Sequence, residues 1–218
     1  MAIPSTLFLH HEIVLLALHE KRGTIAGGTR YRYAIGGAVL AELLLNKRIA
    51  VQPSGRKHLV EAVSAEPLGE PLVDRCLERI NSERRRLSLQ TLISRVADVK
   101  NLKDAVAQQL CKRNVLRVAR GRILLIFRRK IYPQIDPEPK RELVERLRIA
   151  IFTDAMHVDP RTAILLSLAD STNVLSVVFD KKELSRRRTR IAEIVGGEII
   201  GQAAREAIKT MQTAVVAP

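Results

Sequence analysis

A chain of 218 residues and 24.4 kDa is long enough for one domain or two small ones, and with 46% hydrophobic residues it can bury a core, which excludes wholesale disorder. Lys and Arg number 37 against 23 acidic residues, a formal charge of +14, so an anionic partner is expected: phospholipid, nucleic acid or a phosphorylated ligand. Trp is absent and Phe and Tyr total seven, too few for the aromatic platform on which single-stranded nucleic acid stacks.

Pro4-Ser5-Thr6 precedes an apolar run, so Ser5 or Thr6 is expected to cap a first helix through about Glu20. Gly23, Gly27 and Gly28 break the pattern into a loop, and a second helix follows over about Ile35 to Leu45. Ile49 to Val51 and His58 to Val63 are short and β-branched around Pro53-Ser54-Gly55, the pattern of a hairpin. Leu72, Cys76 and Ile80 recur at helical spacing after a Pro-Gly turn.

From Leu87 to about Arg113 two helices are expected with a break near Asp98; in the second, Leu102, Val106 and Leu110 share a face. Val115 to Val118 and Ile123 to Phe127 flank Ala119-Arg120-Gly121-Arg122, which predicts a second hairpin over residues 115–127. After a linker over 133–139, helices are expected at about 139–152, 160–169, 172–179, 181–194 and 197–213. The fold class is therefore mainly α: one compact multi-helix domain over residues 7–213, with short β-hairpins and short tails at 1–6 and 214–218.

Charge is concentrated in one stretch. Residues 75–130 hold 16 Lys or Arg against four acids, whereas the other 162 residues hold 21 against 19. Such asymmetry marks a binding face. Within it, Lys100 and Lys103 stand three apart on one helix and can share a phosphate. Arg117, Arg120, Arg122, Arg128, Arg129 and Lys130 rim an apolar stretch that includes Leu124 and Leu125. A hairpin so built can lie on an anionic membrane, or serve as the wing of a winged helix-turn-helix whose helix 102–113 reads the major groove through Lys103, Gln108, Gln109, Lys112 and Arg113.

Catalytic signatures are missing. His11-Glu12 has Leu15 where a zincin carries its second histidine, the glycine clusters lack P-loop and GxGxxG spacing, and no GxSxG elbow occurs. No His, Cys or carboxylate cluster has metal-ligand spacing along the chain, so neither a catalytic residue, a cofactor nor a metal is expected. Cys76 and Cys111 read as free thiols of a reducing compartment. No apolar run approaches the roughly 18–20 residues that span a bilayer. MAIPSTLFLHHE lacks the basic start of a signal peptide, so a cytoplasmic protein is expected.

Six stretches in this order and spacing resemble the Golgi phosphoprotein 3 family: LFLHHEIVLLALHEKRGTI, AIGGAVLAELLLNKRIAV, GEPLVDRCLERI, VKNLKDAVAQQLCKRNVLRVARGRILLIF, YPQIDPEPKRELVERLR and DPRTAILLSLADSTNVLSVVF. The resemblance covers about residues 7–210 and is closer to bacterial-type members, which lack a long N-terminal arm. It implies a mostly helical, non-enzymatic, peripheral membrane protein that recognises phosphatidylinositol 4-phosphate, on the cytosolic Golgi face in a eukaryote. The family's lipid pocket uses a Trp and an Arg near the start of the second helix and two Arg before the hairpin. Here the first two positions hold Ala26 and Ile35, with Arg30 and Arg32 near enough to substitute. The other two hold Lys100 and Lys103, which keep the charge and lose the bidentate fork.

The expected ligand is thus an anionic phospholipid headgroup at Lys100, Lys103, Arg30 and Arg32, with the hairpin residues Arg117, Arg120, Arg122, Leu124 and Leu125 on the membrane. DNA is the partner under the winged-helix alternative. A third reading makes the hairpin a homo-oligomer contact and the basic face a dock for acidic protein tails.

Overall fold

The computed structural model describes the backbone of residues 7–196 except 27, 56 and 124–126, and their side chains except at 53, 57, 122, 123 and 127–129. Its elements run α1 Leu9–Leu16, β1 Leu18–His19, β2 Thr24–Ile25, α2 Thr29–Leu45, β3 Ile49–Ser54, β4 Lys57–Ala62, α3 Pro71–Ser82, α4 Leu89–Ala97, α5 Leu102–Lys112, β5 Ala119–Ile123, β6 Phe127–Ile131, α6 Glu138–Phe152, α7 Pro160–Ser171, α8 Leu175–Val178, α9 Lys181–Arg186 and α10 Arg188–Gly196. The expected mainly helical fold is what forms. Among the described residues the strands pair as the antiparallel ribbons β1–β2, β3–β4 and β5–β6.

The core is organised by α2, whose residues from Ala34 to Leu43 are buried without interruption. A helix apolar on all sides has to be enclosed by others, and α2 packs against α1, α3, α4 and α7. Gly36 brings α2 up against the backbone of α4. A Cβ there would stand 2.7 Å from the Ile93 carbonyl oxygen of α4. Gly36→Ala is expected to push α2 and α4 apart and to lower stability by about 1–3 kcal/mol, measurable as a lower urea midpoint with an unchanged slope.

Several boundaries differ from the sequence reading, each for a physical reason. Helix α1 stops at Leu16 rather than Glu20, because Leu18 and His19 pair with Ile25 and Thr24. Its N-cap is Phe8; Ser5 and Thr6 lie outside the described residues. Helix α2 starts at Thr29, six residues before the expected position, since Arg30 to Tyr33 break the apolar pattern without breaking the helix. The helix expected at 197–213 lies outside the described residues.

The basic hairpin is shifted four residues along the chain. Ala119-Arg120-Gly121-Arg122 was the expected turn, yet these residues are strand, with Ala119 opposite Ile131 and Arg120 opposite Lys130. The preceding segment is held differently: the Arg117 amide donates to the Pro133 carbonyl at 2.9 Å, and Val115 accepts from Ile135 at 3.0 Å. Leu124 and Leu125 fall in the connection between the strands, outside the described residues.

Among the described residues, no helix is long and apolar enough to cross a membrane. Cys76 and Cys111 are both free; burial pushes the Cys76 thiol up to about 12.

Candidate functional site

The break between α4 and α5 shapes the site. Asp98 ends α4, and Asn101 takes a left-handed conformation (φ 55°) that an asparagine tolerates better than most residues. After this turn the face of α5 carrying Leu102, Val106 and Leu110 is buried as its periodicity requires. The neighbouring face, with Lys103, Asp104 and Gln108, is left beside the hairpin. On the other side the β1–β2 turn comes close to the end of β6: the Tyr132 amide donates to the Gly23 carbonyl at 2.6 Å. Gly23 has φ +60°, and a Cβ there would stand 3.1 Å from the Pro133 nitrogen, so the turn can sit this close only as glycine.

These three elements enclose a cleft of about 520 Å³ lined by Ile25, Asn101, Lys103, Asp104, Ala105, Gln108, Lys130 and Tyr132. Lys103 and Lys130 supply positive charge from α5 and β6. Asp104 accepts a 2.7 Å hydrogen bond from the Tyr132 hydroxyl. Burial, followed by that bond to Asp104, raises the Tyr132 pKa, so the phenol stays a donor. The cleft therefore offers ammonium donors for phosphate oxygens and amide groups for neutral ones.

The expected site residues divide. Lys103 lines the cleft, while Lys100 is exposed in the turn just before Asn101. Arg30 and Arg32 are exposed on the first turn of α2 and do not line it; Arg32 instead faces Asp98 at 3.6 Å. Ile35 is wholly buried in the core, and Ala26 is half-buried next to Ile25 of the cleft wall. Arg117 and Arg120 are exposed, and Arg122 stands opposite Arg128 in the β5–β6 register. Not all of the basic stretch is turned to this cleft: Arg79 and Arg95 share Glu83, at 3.2 and 2.5 Å, and Arg86 pairs with Glu61 at 2.9 Å.

Asp104, Gln108, Lys130 and Tyr132 enter the cleft without having been singled out for it. Lys130 would have been legible only with the correct hairpin register, and the Asp104–Tyr132 contact joins residues 28 apart with no motif between them. Gln109, offered above as a groove contact for DNA, is turned inward: its Oε1 lies 2.9 Å from His11 Nε2.

The fold is thus a mainly helical domain whose basic hairpin and preceding helix share a lysine-lined cleft. The sequence model of the family described as Golgi phosphoprotein 3 (GPP34) matches residues 9–211. The chain belongs to the Golgi phosphoprotein 3 family.

Proposed function

We propose that this protein is a non-enzymatic, peripheral membrane-binding protein that takes an anionic phospholipid headgroup in the cleft between α5 and β6, with phosphatidylinositol 4-phosphate as the ligand the family suggests. The observation that carries this reading is the placement of Lys103 and Lys130 from two separate elements in one cleft at the base of the basic hairpin. Lys100, Arg117 and Arg120 are exposed and add to the field around it. Arg30 and Arg32 act at longer range, from the first turn of α2. Arg122, Leu124 and Leu125 carry the hairpin's contact with the bilayer, with apolar side chains entering the interface and arginines on the headgroups. Each Lys or Arg close to an anionic surface is worth roughly 1 kcal/mol, so five or six of them suffice for binding that weakens steeply with salt.

Vesicle co-sedimentation tests this with neutral lipid, neutral lipid plus phosphatidylserine or phosphatidylglycerol, and neutral lipid plus phosphatidylinositol 4-phosphate at matched charge, with duplex DNA as competitor. Pelleting is expected with the acidic vesicles only. Preference for the phosphoinositide at matched charge assigns a headgroup-specific cleft, and equal binding assigns a general anionic one. No pelleting, with tight salt-sensitive DNA binding instead, overturns the membrane reading in favour of the winged helix.

A further inference from the structure

Away from the cleft, α1 presents two adjacent histidines to the start of α3. His10 and His11 are wholly buried and Glu70 is 1% exposed. One ring nitrogen from each histidine and one carboxylate oxygen of Glu70 lie within 4.8 Å of one another. We propose that these three side chains form a binding site for one divalent transition-metal ion of the zinc class, a structural site fastening α1 to the N-terminus of α3.

Three observations converge on an ion. The first is unmet bonding capacity in the interior. Neither ring nitrogen of His10 has a hydrogen-bond partner, and Glu70 Oε1 has none either; buried polar groups are normally satisfied, and each orphan destabilises the fold. The second is spacing. His10 Nε2 stands 3.4 Å from Glu70 Oε2 without the alignment of a hydrogen bond. The three ligand atoms, within 4.8 Å of one another, have to close to the roughly 3.3–3.4 Å that bonds of about 2.0–2.1 Å to a tetrahedral zinc ion set.

The third observation is that the ligands are already oriented. Glu70 caps α3, its Oε2 accepting from the Leu72 and Val73 amides at 3.0 and 2.8 Å, which fixes the carboxylate and leaves Oε1 over. His11 Nε2 is held by Gln109, whereas Nδ1 takes only a long 3.3 Å contact from the Phe8 amide. Nδ1 is therefore the nitrogen released at the smaller cost, with Gln109 as the outer partner that fixes the ring. Two imidazoles and one carboxylate suit Zn²⁺, Co²⁺ or Ni²⁺ rather than Mg²⁺ or Ca²⁺. Complete burial leaves no route for a substrate, which makes the site structural.

The test uses full-length protein stripped with chelator, titrated with Zn²⁺ by calorimetry and with Co²⁺ by visible absorption. One ion per chain is expected, with the intense visible bands of low-coordinate Co²⁺, their loss on adding Zn²⁺, and a rise of several degrees in melting temperature. Glu70→Gln keeps an acceptor for the α3 amides and His10→Gln keeps a polar side chain; each is expected to weaken binding at least about tenfold, the scale on which a lost ligand or outer partner is felt. His157→Ala, at an exposed histidine, should bind as the wild type does. Binding that survives both Gln variants, or a wild-type Co²⁺ spectrum without those bands, overturns the site. The spectrum needs no variant, so a variant that fails to fold leaves the outcome decided.

Discussion

Arg161→Leu is expected to lower the unfolding free energy by about 3 kcal/mol and the melting temperature by roughly 6–12 °C. Arg161 reaches from α7 into a cluster of charges that α1 and α2 bury. Its Nη2 lies 2.7 Å from Glu42 Oε1 and also donates to the Leu7 carbonyl, while its Nε lies 3.7 Å from Glu12 Oε1. The Glu42 side chain is 2% exposed and that of Glu12 is 7%. Removing the guanidinium leaves Glu42 with the Leu9 amide at 2.5 Å and Asn46 Nδ2 at 3.4 Å, and with no cation among the described residues. Breaking one side of a buried pair costs more than the pair itself contributes, because the remaining charge keeps its desolvation penalty. The lower end of the usual range applies, since the Arg161 side chain is still 22% exposed.

A second variant isolates the cause. Adding Glu42→Gln to Arg161→Leu removes the stranded charge and keeps an acceptor for the Leu9 amide, so the double variant is expected to be more stable than Arg161→Leu alone. Chemical denaturation of all four members of the cycle gives the coupling directly. Equal losses in single and double variants would assign the effect to packing. Glu12 belongs to the same cluster. Burial outweighs both Arg161 and Arg146 there and holds its carboxyl above the ordinary 4.5, even with Arg146 Nη2 at 2.9 Å.

Periodicity made the helices legible and left the site half hidden, for reasons that lie in particular residues. Leu102, Val106 and Leu110 stand at i, i+4 and i+8, and one face of α5 is buried as that spacing demands. Helix α2 resisted because its start, Thr29 to Tyr33, alternates polar and aromatic residues and takes its helical state from tertiary packing: Tyr31 is 4% exposed although it follows Arg30. The hairpin shift has the same origin. Gly121 between two arginines reads locally as a turn, but pairing with residues 127–131 draws the whole Ala119–Ile123 segment into strand. One register change then carries Lys130 from the rim of an apolar strand into the cleft wall. The buried clusters were illegible for a simpler reason: Arg161 with Glu42, and His10 with Glu70, are joined only by folding.

Charge reversal in the cleft is the sharpest discriminator between a headgroup site and a diffuse field. Each lysine near an anionic surface contributes roughly 1 kcal/mol, and replacing it with glutamate removes that and adds a comparable repulsion. Lys103→Glu combined with Lys130→Glu is therefore expected to weaken binding to acidic vesicles by about 4 kcal/mol, near 10³-fold. Reversing Arg84 and Arg85, exposed residues that line a different depression beside Glu61 and Glu83, changes net charge by the same amount. If the cleft holds the headgroup, that second pair costs much less, and its smaller effect fades first as salt shortens the screening length from about 10 Å at 0.1 M towards 3 Å at 1 M. If the two pairs weaken binding equally at every salt concentration, the whole basic stretch acts as a field and the cleft holds no headgroup. Asp104 sharpens the contrast, because its carboxylate sits between the two lysines' elements and disfavours a bare anion. A ligand that brings hydroxyl donors along with its phosphate can turn them to that carboxylate. At matched charge, then, a polyol headgroup should outcompete phosphatidic acid for the wild type and lose that advantage in the Lys103→Glu/Lys130→Glu protein.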